Sequence, residues 1–140
     1  MARALLTRRV TFAAAHRYRR PEWDDARNAA TFGLCARPNY HGHSYVCDIT
    51  VVGTIDPLTG FVVDLGRLDA VLLTEVRERF DHRNINLDVA EFAEGALIPT
   101  GENLAKNIFE RVQSALGGAA LVMEVKLAED ENLSVTYRGA

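Results

Sequence analysis

The stretch Cys35-Ala36-Arg37-Pro38-Asn39-Tyr40-His41-Gly42-His43 sets a thiol a short loop ahead of two histidines separated by one glycine. Read as the start of an extended segment, it puts His41 and His43 on one face, because side chains at i and i+2 of a strand project together. The same parity carries Tyr45, Cys47, Ile49 and Val51, so a strand is expected from His41 to about Ile55. Two imidazoles make an incomplete clamp for a zinc ion, which takes three or four protein ligands. Of the four histidines in the chain, only His16 and His82 remain to complete it.

Outward from this stretch, the preceding segment from about Leu5 to Ala15 is rich in β-favouring residues and reads as a strand. Leu6, Val10, Phe12 and Ala14 share a parity, Arg8 interrupts it, and His16 continues it at the strand's end. Between the two strands, residues 17–40 are polar and irregular, with Pro21, Gly33 and Pro38 and a short helix expected over Glu22–Ala30. A long loop in a compact domain is often a functional one. Beyond the second strand, Asp56-Pro57-Leu58-Thr59-Gly60 has the residues of a turn, and Asp64 is a good helix N-cap. Leu65, Leu68, Leu72 and Val76 then mark one buried face of a helix over Leu65–Arg79. Asp81-His82-Arg83-Asn84 breaks that pattern as a loop, and the acidic segment up to Leu97 gives no clear period. A second helix follows Thr100 as N-cap, with Leu104, Ile108, Val112 and Leu116 on its apolar face and Gly117-Gly118 at its end. Strands over Ala119–Ala128 and Leu133–Tyr137 close the chain, joined by a tight turn at Glu129-Asp130-Glu131-Asn132.

The order strand, strand, helix, helix, strand, strand predicts an α+β fold, with a four-stranded antiparallel sheet and both helices on one face. A single domain over 1–140 is expected. The other face and the edges of such a sheet need cover, so a homo-oligomer is predicted. Composition sets further bounds. Hydrophobic residues at 48% and charged ones at 25% are ordinary for a globular protein, and a net charge of -3 gives no reason to expect a nucleic-acid partner. No apolar run has the length of a membrane span, and the N-terminal segment lacks the apolar stretch of a signal peptide. A cytoplasmic protein is therefore expected, with Cys35 and Cys47 as free thiols and Cys47 a small packed residue.

Chemistry can be read from a few positions. If the strand ending at His16 pairs with the one starting at His41, three imidazoles converge, and three nitrogen ligands with an open fourth position describe a catalytic zinc site. The alternative is that the two histidines are plain surface residues. Cys35, usually inert in a loop, becomes a candidate base or nucleophile beside a dication, or a fourth ligand. In Asp81-His82 a carboxylate can fix the orientation of a proton-shuttling imidazole. Glu129 is either a solvated turn residue or a carboxylate suited to two N–H groups of a guanidine-like heterocycle edge.

The ordered set Phe12-Ala13-Ala14-Ala15-His16, Cys35 with His41-Gly42-His43, Asp81-His82, Pro99-Thr100-Gly101-Glu102-Asn103-Leu104 and Glu129 resembles the 6-pyruvoyltetrahydropterin synthase family, which includes the 6-carboxytetrahydropterin synthases of queuosine biosynthesis. The resemblance implies the tunnelling fold, in which sheets of several subunits join into a barrel, usually a homohexamer made as a dimer of trimers. It implies zinc held by His16, His41 and His43, catalysis by Cys35 with Asp81 and His82, and a pterin pocket at Glu129, Thr100 and Glu102. Sites in the family form between subunits, so Asp81 and His82 would serve a neighbour's Cys35. The implied substrate is 7,8-dihydroneopterin triphosphate, converted with loss of triphosphate to 6-pyruvoyltetrahydropterin, or in the carboxy branch with loss of acetaldehyde as well. The five residues between Cys35 and His41 fit the pyruvoyl branch, since the queuosine enzymes usually have three. Two features depart from the family: residues 17–34 look long and carry Trp23, and Asp130 stands where a threonine is frequent. Two rival readings are a hydrolase using zinc-bound hydroxide and a non-catalytic oligomer that binds pterin or metal.

Overall fold

The computed structural model describes residues 1–140. Its spine is a pair of long strands, β1 (Arg3–His16) and β2 (His41–Thr54), antiparallel and in unbroken register from Arg3 opposite Thr54 to His16 opposite His41. The expected parities hold: Phe12, Ala14 and His16 of β1, and Tyr45, Cys47, Ile49 and Val51 of β2, are all buried. Arg8, which breaks the apolar run, sits where its guanidinium makes paired hydrogen bonds of 2.7 and 2.9 Å to Asp69. A polar residue at that position therefore links the strand to the helix above it.

The segment between these strands holds α1 (Asp25–Phe32), which begins three residues and ends two residues later than anticipated, with Asp24 capping it by accepting from the Arg27 N–H. After β2, α2 (Leu65–Leu72) starts on the Asp64 cap, widens into a π turn over Leu73–Arg77 and ends in α3 (Glu78–Phe80). Leu68, Leu72, Val76 and Phe80 stay buried throughout, whereas Leu65 remains at the surface.

The sheet differs from a four-stranded antiparallel one. A two-residue strand, β3 (Arg83–Asn84), pairs in parallel with Ala14 and Ala15 of β1 and makes the sheet mixed. His82 enables this by taking a left-handed backbone, φ 59°, and donating its N–H to the Ala13 carbonyl at 2.6 Å. A strand that short has no alternation to read. The acidic segment that follows contains α4 (Ile85–Asp88) and a 3₁₀ turn, which fasten it to the core through Ile85, Val89 and Phe92.

The helix after Thr100, α5 (Gly101–Leu116), has the anticipated cap and face: Thr100 accepts from the Asn103 N–H, and Leu104, Ile108, Val112 and Leu116 are fully buried. Gly101 itself is needed for contact, since a Cβ there would meet a Val135 methyl at 3.0 Å. Next, β4 (Leu121–Asp130) and β5 (Leu133–Tyr137) complete five strands in the order β3-β1-β2-β4-β5. Residues of α2 and α5 share one core with the inner face of the sheet. The outer face is polar where Arg9 pairs with Asp48 and Arg138 with Glu124. No helix is long and apolar enough to cross a membrane.

Ile108→Ala removes a fully buried branched side chain from the contact between α5 and the sheet. Chemical unfolding should show a loss of about 2–5 kcal/mol with the same denaturant dependence.

Candidate active site

Strand register builds the centre of the site. His16 ends β1 directly opposite His41, and His43 lies two residues along β2 on the same face. The ring of His16 lies 4.7 Å from that of His41 and 5.0 Å from that of His43, and His41 and His43 are 5.0 Å apart, centroid to centroid. One ring nitrogen from each falls within 4.8 Å of the others, an arrangement that can hold a metal ion. Nε2 of His16 and Nε2 of His43 are buried without any hydrogen-bond partner. Buried polar atoms in folded proteins are nearly always paired, so two orphan lone-pair donors beside a third imidazole fit a cation at their centre.

Protonation state agrees with this. Burial, followed by the neighbouring charges of His41 and then His43, pushes His16 down from 6.5 to about 3. Burial also lowers His41, with His43 adding to the effect and Glu129 opposing it. At neutral pH both rings are uncharged, the form a metal needs. The Tyr45 hydroxyl lies 3.0 Å from His16 Nδ1. With its Nε2 lone pair turned to a metal, a neutral His16 would donate its Nδ1 proton to the Tyr45 oxygen, and the contact holds the ring's orientation. Tyr45 was visible in the sequence only as an apolar-face residue; its parity with His41 and His43 was the available signal.

Glu129 is not in the turn. It belongs to β4, continues the inward parity of Val125 and Leu127, and is only 8% exposed. The connection shortens to Glu131-Asn132, because the pairing of β4 with β5 slips between Ala128 and Asp130 and leaves Glu129 as the extra residue of a bulge. Its Oε1 accepts from the Tyr18 hydroxyl at 3.1 Å, and its Oε2 lies 3.9 Å from His43 Nε2. Tyr18 was not singled out in the sequence, although it sits two residues beyond His16. Its ring packs edge-on against His16 and His41 and against Phe32 of α1. Glu129, Tyr18, Thr100 and Glu102 line one cavity of about 220 Å³ with the start of α5 and β5, so the residues expected at the pterin pocket do come together. Thr100 spends its hydroxyl oxygen on the helix cap, and Glu102 is exposed.

Cys35 lies in the 3₁₀ turn Gly33–Ala36, partly buried, and its carbonyl accepts from the Tyr18 N–H at 2.7 Å. Burial, then the Glu129 charge, raises its thiol above the usual range, and Cys35 in turn bears on Tyr18 and Tyr45. The Cys35 turn is thus tied to Tyr18, which packs against His16 and His41, while Cys35 itself is not among the residues lining the Glu129 cavity. Cys47 is also a free thiol, but burial pushes it up to about 12 within the core. Asp81 and His82 form a pair of their own: Asp81 Oδ2 is 2.9 Å from His82 Nδ1, and Asp81 Oδ1 accepts from the Ala13 N–H. The side chain of His82 is 85% exposed, and it is not among the groups that bear on Cys35 within the chain.

Fold and site thus define an α+β protein with three convergent histidines at the end of its central strand pair, next to a cavity with a buried carboxylate. Residues 5–140 match the family described as 6-pyruvoyl tetrahydropterin synthase, and the chain belongs to that family. It is 40% identical over 136 residues to the Drosophila melanogaster 6-pyruvoyl tetrahydrobiopterin synthase, covering 97% of this chain and 80% of that one. Against the Homo sapiens protein of the same name it is 37% identical, covering 97% and 92%. The structure of Caenorhabditis elegans 6-pyruvoyl tetrahydropterin synthase superposes with a TM-score of 0.93 at 34% identity, covering 100% of this chain and 98% of the other. The architecture is accordingly the tunnelling fold.

Acid should act on the histidine centre in a defined direction. His16 is held low in the folded chain and titrates near 6.5 when unfolded, so its contribution is complete above that value and is lost as the pH falls toward about 3. Metal-free protein should lose up to about 1.4 kcal/mol per pH unit for this group below pH 6.5, read as a falling Tm. In the same preparation at pH 7.5, Tyr45→Phe should weaken zinc binding roughly 10–100-fold by competition with a chromogenic chelator.

Proposed function

We propose that this protein is a zinc-dependent lyase that acts on 7,8-dihydroneopterin triphosphate and eliminates triphosphate to give 6-pyruvoyltetrahydropterin. The observation that carries the reading is the convergence of three imidazoles, with His43 Nε2 3.9 Å from the buried carboxylate Glu129 that lines the neighbouring cavity, in a chain of this family. His16, His41 and His43 would hold the zinc ion, which when bound acts as a Lewis acid toward side-chain oxygens of the substrate. Glu129 would receive the amino and ring N–H groups of the pterin, with Tyr18 holding one carboxylate oxygen in place. Thr100 and Glu102 would border the ring at the start of α5.

Cys35 would remove a proton from the substrate side chain. Tautomerisation then transfers reducing equivalents from the side chain to the ring, and the carbon–oxygen bond to triphosphate breaks, so no external oxidant or reductant is needed. Asp81, by accepting from Nδ1–H of His82, leaves Nε2 of that exposed ring to exchange protons. Its exposure and its place at the β1 edge suit service to a neighbouring subunit, in a homohexameric assembly of the kind the family forms. The Cys35 thiol faces an obstacle within the isolated chain, because burial and Glu129 both disfavour its thiolate. A dication held by the three histidines would oppose that bias.

Turnover provides the direct test. Zinc-loaded protein should release triphosphate from 7,8-dihydroneopterin triphosphate, and both His41→Ala and Cys35→Ala should reduce the rate by at least about 100-fold. A hydrolase using metal-bound hydroxide would keep its rate in Cys35→Ala, and a binding protein would release nothing. Mass spectrometry of the organic product distinguishes the 6-pyruvoyl from the 6-carboxy compound. Chelation supplies a second measurement: removing the metal should slow alkylation of Cys35 by iodoacetamide at pH 7.5, with unchanged labelling refuting the electrostatic link between centre and thiol.

A further inference from the structure

Glu129 stands close to the histidine centre without joining it. Its Oε2 lies 3.9 Å from His43 Nε2, a nitrogen that is buried without a partner. Zinc–nitrogen and zinc–oxygen bonds are each about 2.0–2.2 Å long, so two ligand atoms of a tetrahedral ion are roughly 3.4 Å apart. On the His43 side the carboxylate needs to close only about half an ångström to reach that spacing. Even so, the ligand atoms that lie within 4.8 Å of one another come from His16, His41 and His43, and Glu129 is outside the group. Its other oxygen, Oε1, accepts from the Tyr18 hydroxyl at 3.1 Å. We propose that Tyr18 is a positioning residue that keeps Glu129 off the metal, so that the ion's fourth position and the carboxylate both stay free for substrate. In the function proposed above the three histidines hold zinc and Glu129 receives the substrate ring, and the role of Tyr18 rests on that reading.

The two partners have unequal freedom. Glu129 is the extra residue of the β4 bulge, so no cross-strand partner sets the direction of its side chain. Tyr18, in contrast, is fixed from several sides. Its N–H donates to the Cys35 carbonyl at 2.7 Å. On one flank the Asn86 side chain accepts from the Arg17 N–H at 2.8 Å and donates to the Arg17 carbonyl at 3.1 Å. On the other, Asn28, 1% exposed, accepts from the Arg20 N–H at 2.8 Å and donates to the Arg20 carbonyl at 3.0 Å. Each amide thus imitates the pairing of a strand neighbour and ties the main chain down beside Tyr18. The ring packs edge-on against His16 at 5.0 Å and against Phe32 at 5.9 Å, and Phe32 stacks on Trp23. A tyrosine hydroxyl is protonated at neutral pH and has one hydrogen to donate, and here it goes to Oε1. A fixed donor therefore holds a movable carboxylate, and not the reverse. Without that donor, Glu129, only 8% exposed, would have a buried oxygen in need of a partner, and a dication at the histidines would supply one. A carboxylate added to three imidazoles makes a closed four-ligand site and leaves the ring cavity without its acceptor.

Tyr18→Phe deletes the hydroxyl and keeps the ring, so packing and main-chain contacts survive. Zinc affinity, read by competition with a chromogenic chelator, should rise about tenfold in Tyr18→Phe as a neutral three-nitrogen site gains an anionic ligand. The visible absorption spectrum of the cobalt(II)-loaded protein should change with it, and triphosphate release should fall. Glu129→Gln removes the charge that coordination needs. Tyr18→Phe/Glu129→Gln should therefore match Glu129→Gln alone in both zinc affinity and cobalt spectrum. A tyrosine that only packs against the histidines would weaken zinc binding to the same extent in both backgrounds. That result, or wild-type affinity and spectrum in Tyr18→Phe, overturns the positioning role and leaves the lyase reading standing. Tighter binding that depends on Glu129, in a protein that releases no triphosphate from the substrate, upholds the positioning role and overturns the lyase reading instead. A wild-type protein that takes up neither zinc nor cobalt overturns both.

Discussion

The register between β1 and β2 is the constraint on which the site depends. Both strands are 14 residues long and pair over their whole length, so His16 meets His41 only if every preceding pair is in place. A slip of one residue would turn His41 and His43 to the opposite face and break the centre. The outer face carries devices that prevent it. Arg9 makes two hydrogen bonds to Asp48, its direct cross-strand partner, at 2.8 and 3.0 Å. Thr7 and Thr50, also direct partners, join their hydroxyls at 2.7 Å. On the inner face Phe12 stacks on Tyr45, which both fills the core and positions the hydroxyl beside His16. Packing and metal-site geometry are thus properties of the same strand pair.

How much of this was legible in the sequence depended on whether a local period carried it. The parities of Phe12, Ala14 and His16 and of His41 through Val51, the Asp64 and Thr100 caps and the apolar face of α5 were all readable, because each follows from strand or helix repetition. Hence three imidazoles could be expected at one end of the sheet before any coordinates. What was hidden came from irregular backbone. The left-handed turn at His82 adds β3 to a sheet that otherwise reads as four antiparallel strands. The bulge at Glu129 moves that residue from an anticipated turn to a buried wall of the cavity. Tyr18 escaped notice because an apparently irregular loop continued the strand's parity for two more residues. Leu65 was assigned to a buried stripe yet stays exposed, since the first turn of α2 projects beyond the core.

Electrostatics within the site set one group against another. Burial, and after it the negative charge of Glu129, makes the Cys35 thiolate harder to form in the isolated chain. The same carboxylate accepts from Tyr18 and adjoins His43 at 3.9 Å. Placed among three neutral imidazoles, a dication would favour both negative groups at once, the carboxylate for substrate and the thiolate for proton removal. The arrangement is therefore better suited to a charged occupant than to an apolar or empty core.

Places where the chain disobeys ordinary folding preferences gather around this region. Two imidazole nitrogens are buried without partners, Glu129 is buried at the sheet's end, and Tyr40 and His82 are the non-glycine residues with positive φ. None of these helps the core, which is complete in the apolar residues of α2, α5 and the inner sheet face. Proteins that are otherwise locally consistent carry such exceptions mainly where function demands them. Here the exceptions have separable places: the orphan nitrogens belong to a histidine group that can hold a cation, Glu129 faces the cavity, Tyr40 turns the chain into β2 beneath Arg17, and His82 turns it beside β1 while holding its ring toward solvent. Asp81 holds that ring at Nδ1 with one carboxylate oxygen and accepts from the Ala13 N–H with the other, so the exposed imidazole is fixed at the sheet edge by the same contacts that attach β3 to β1.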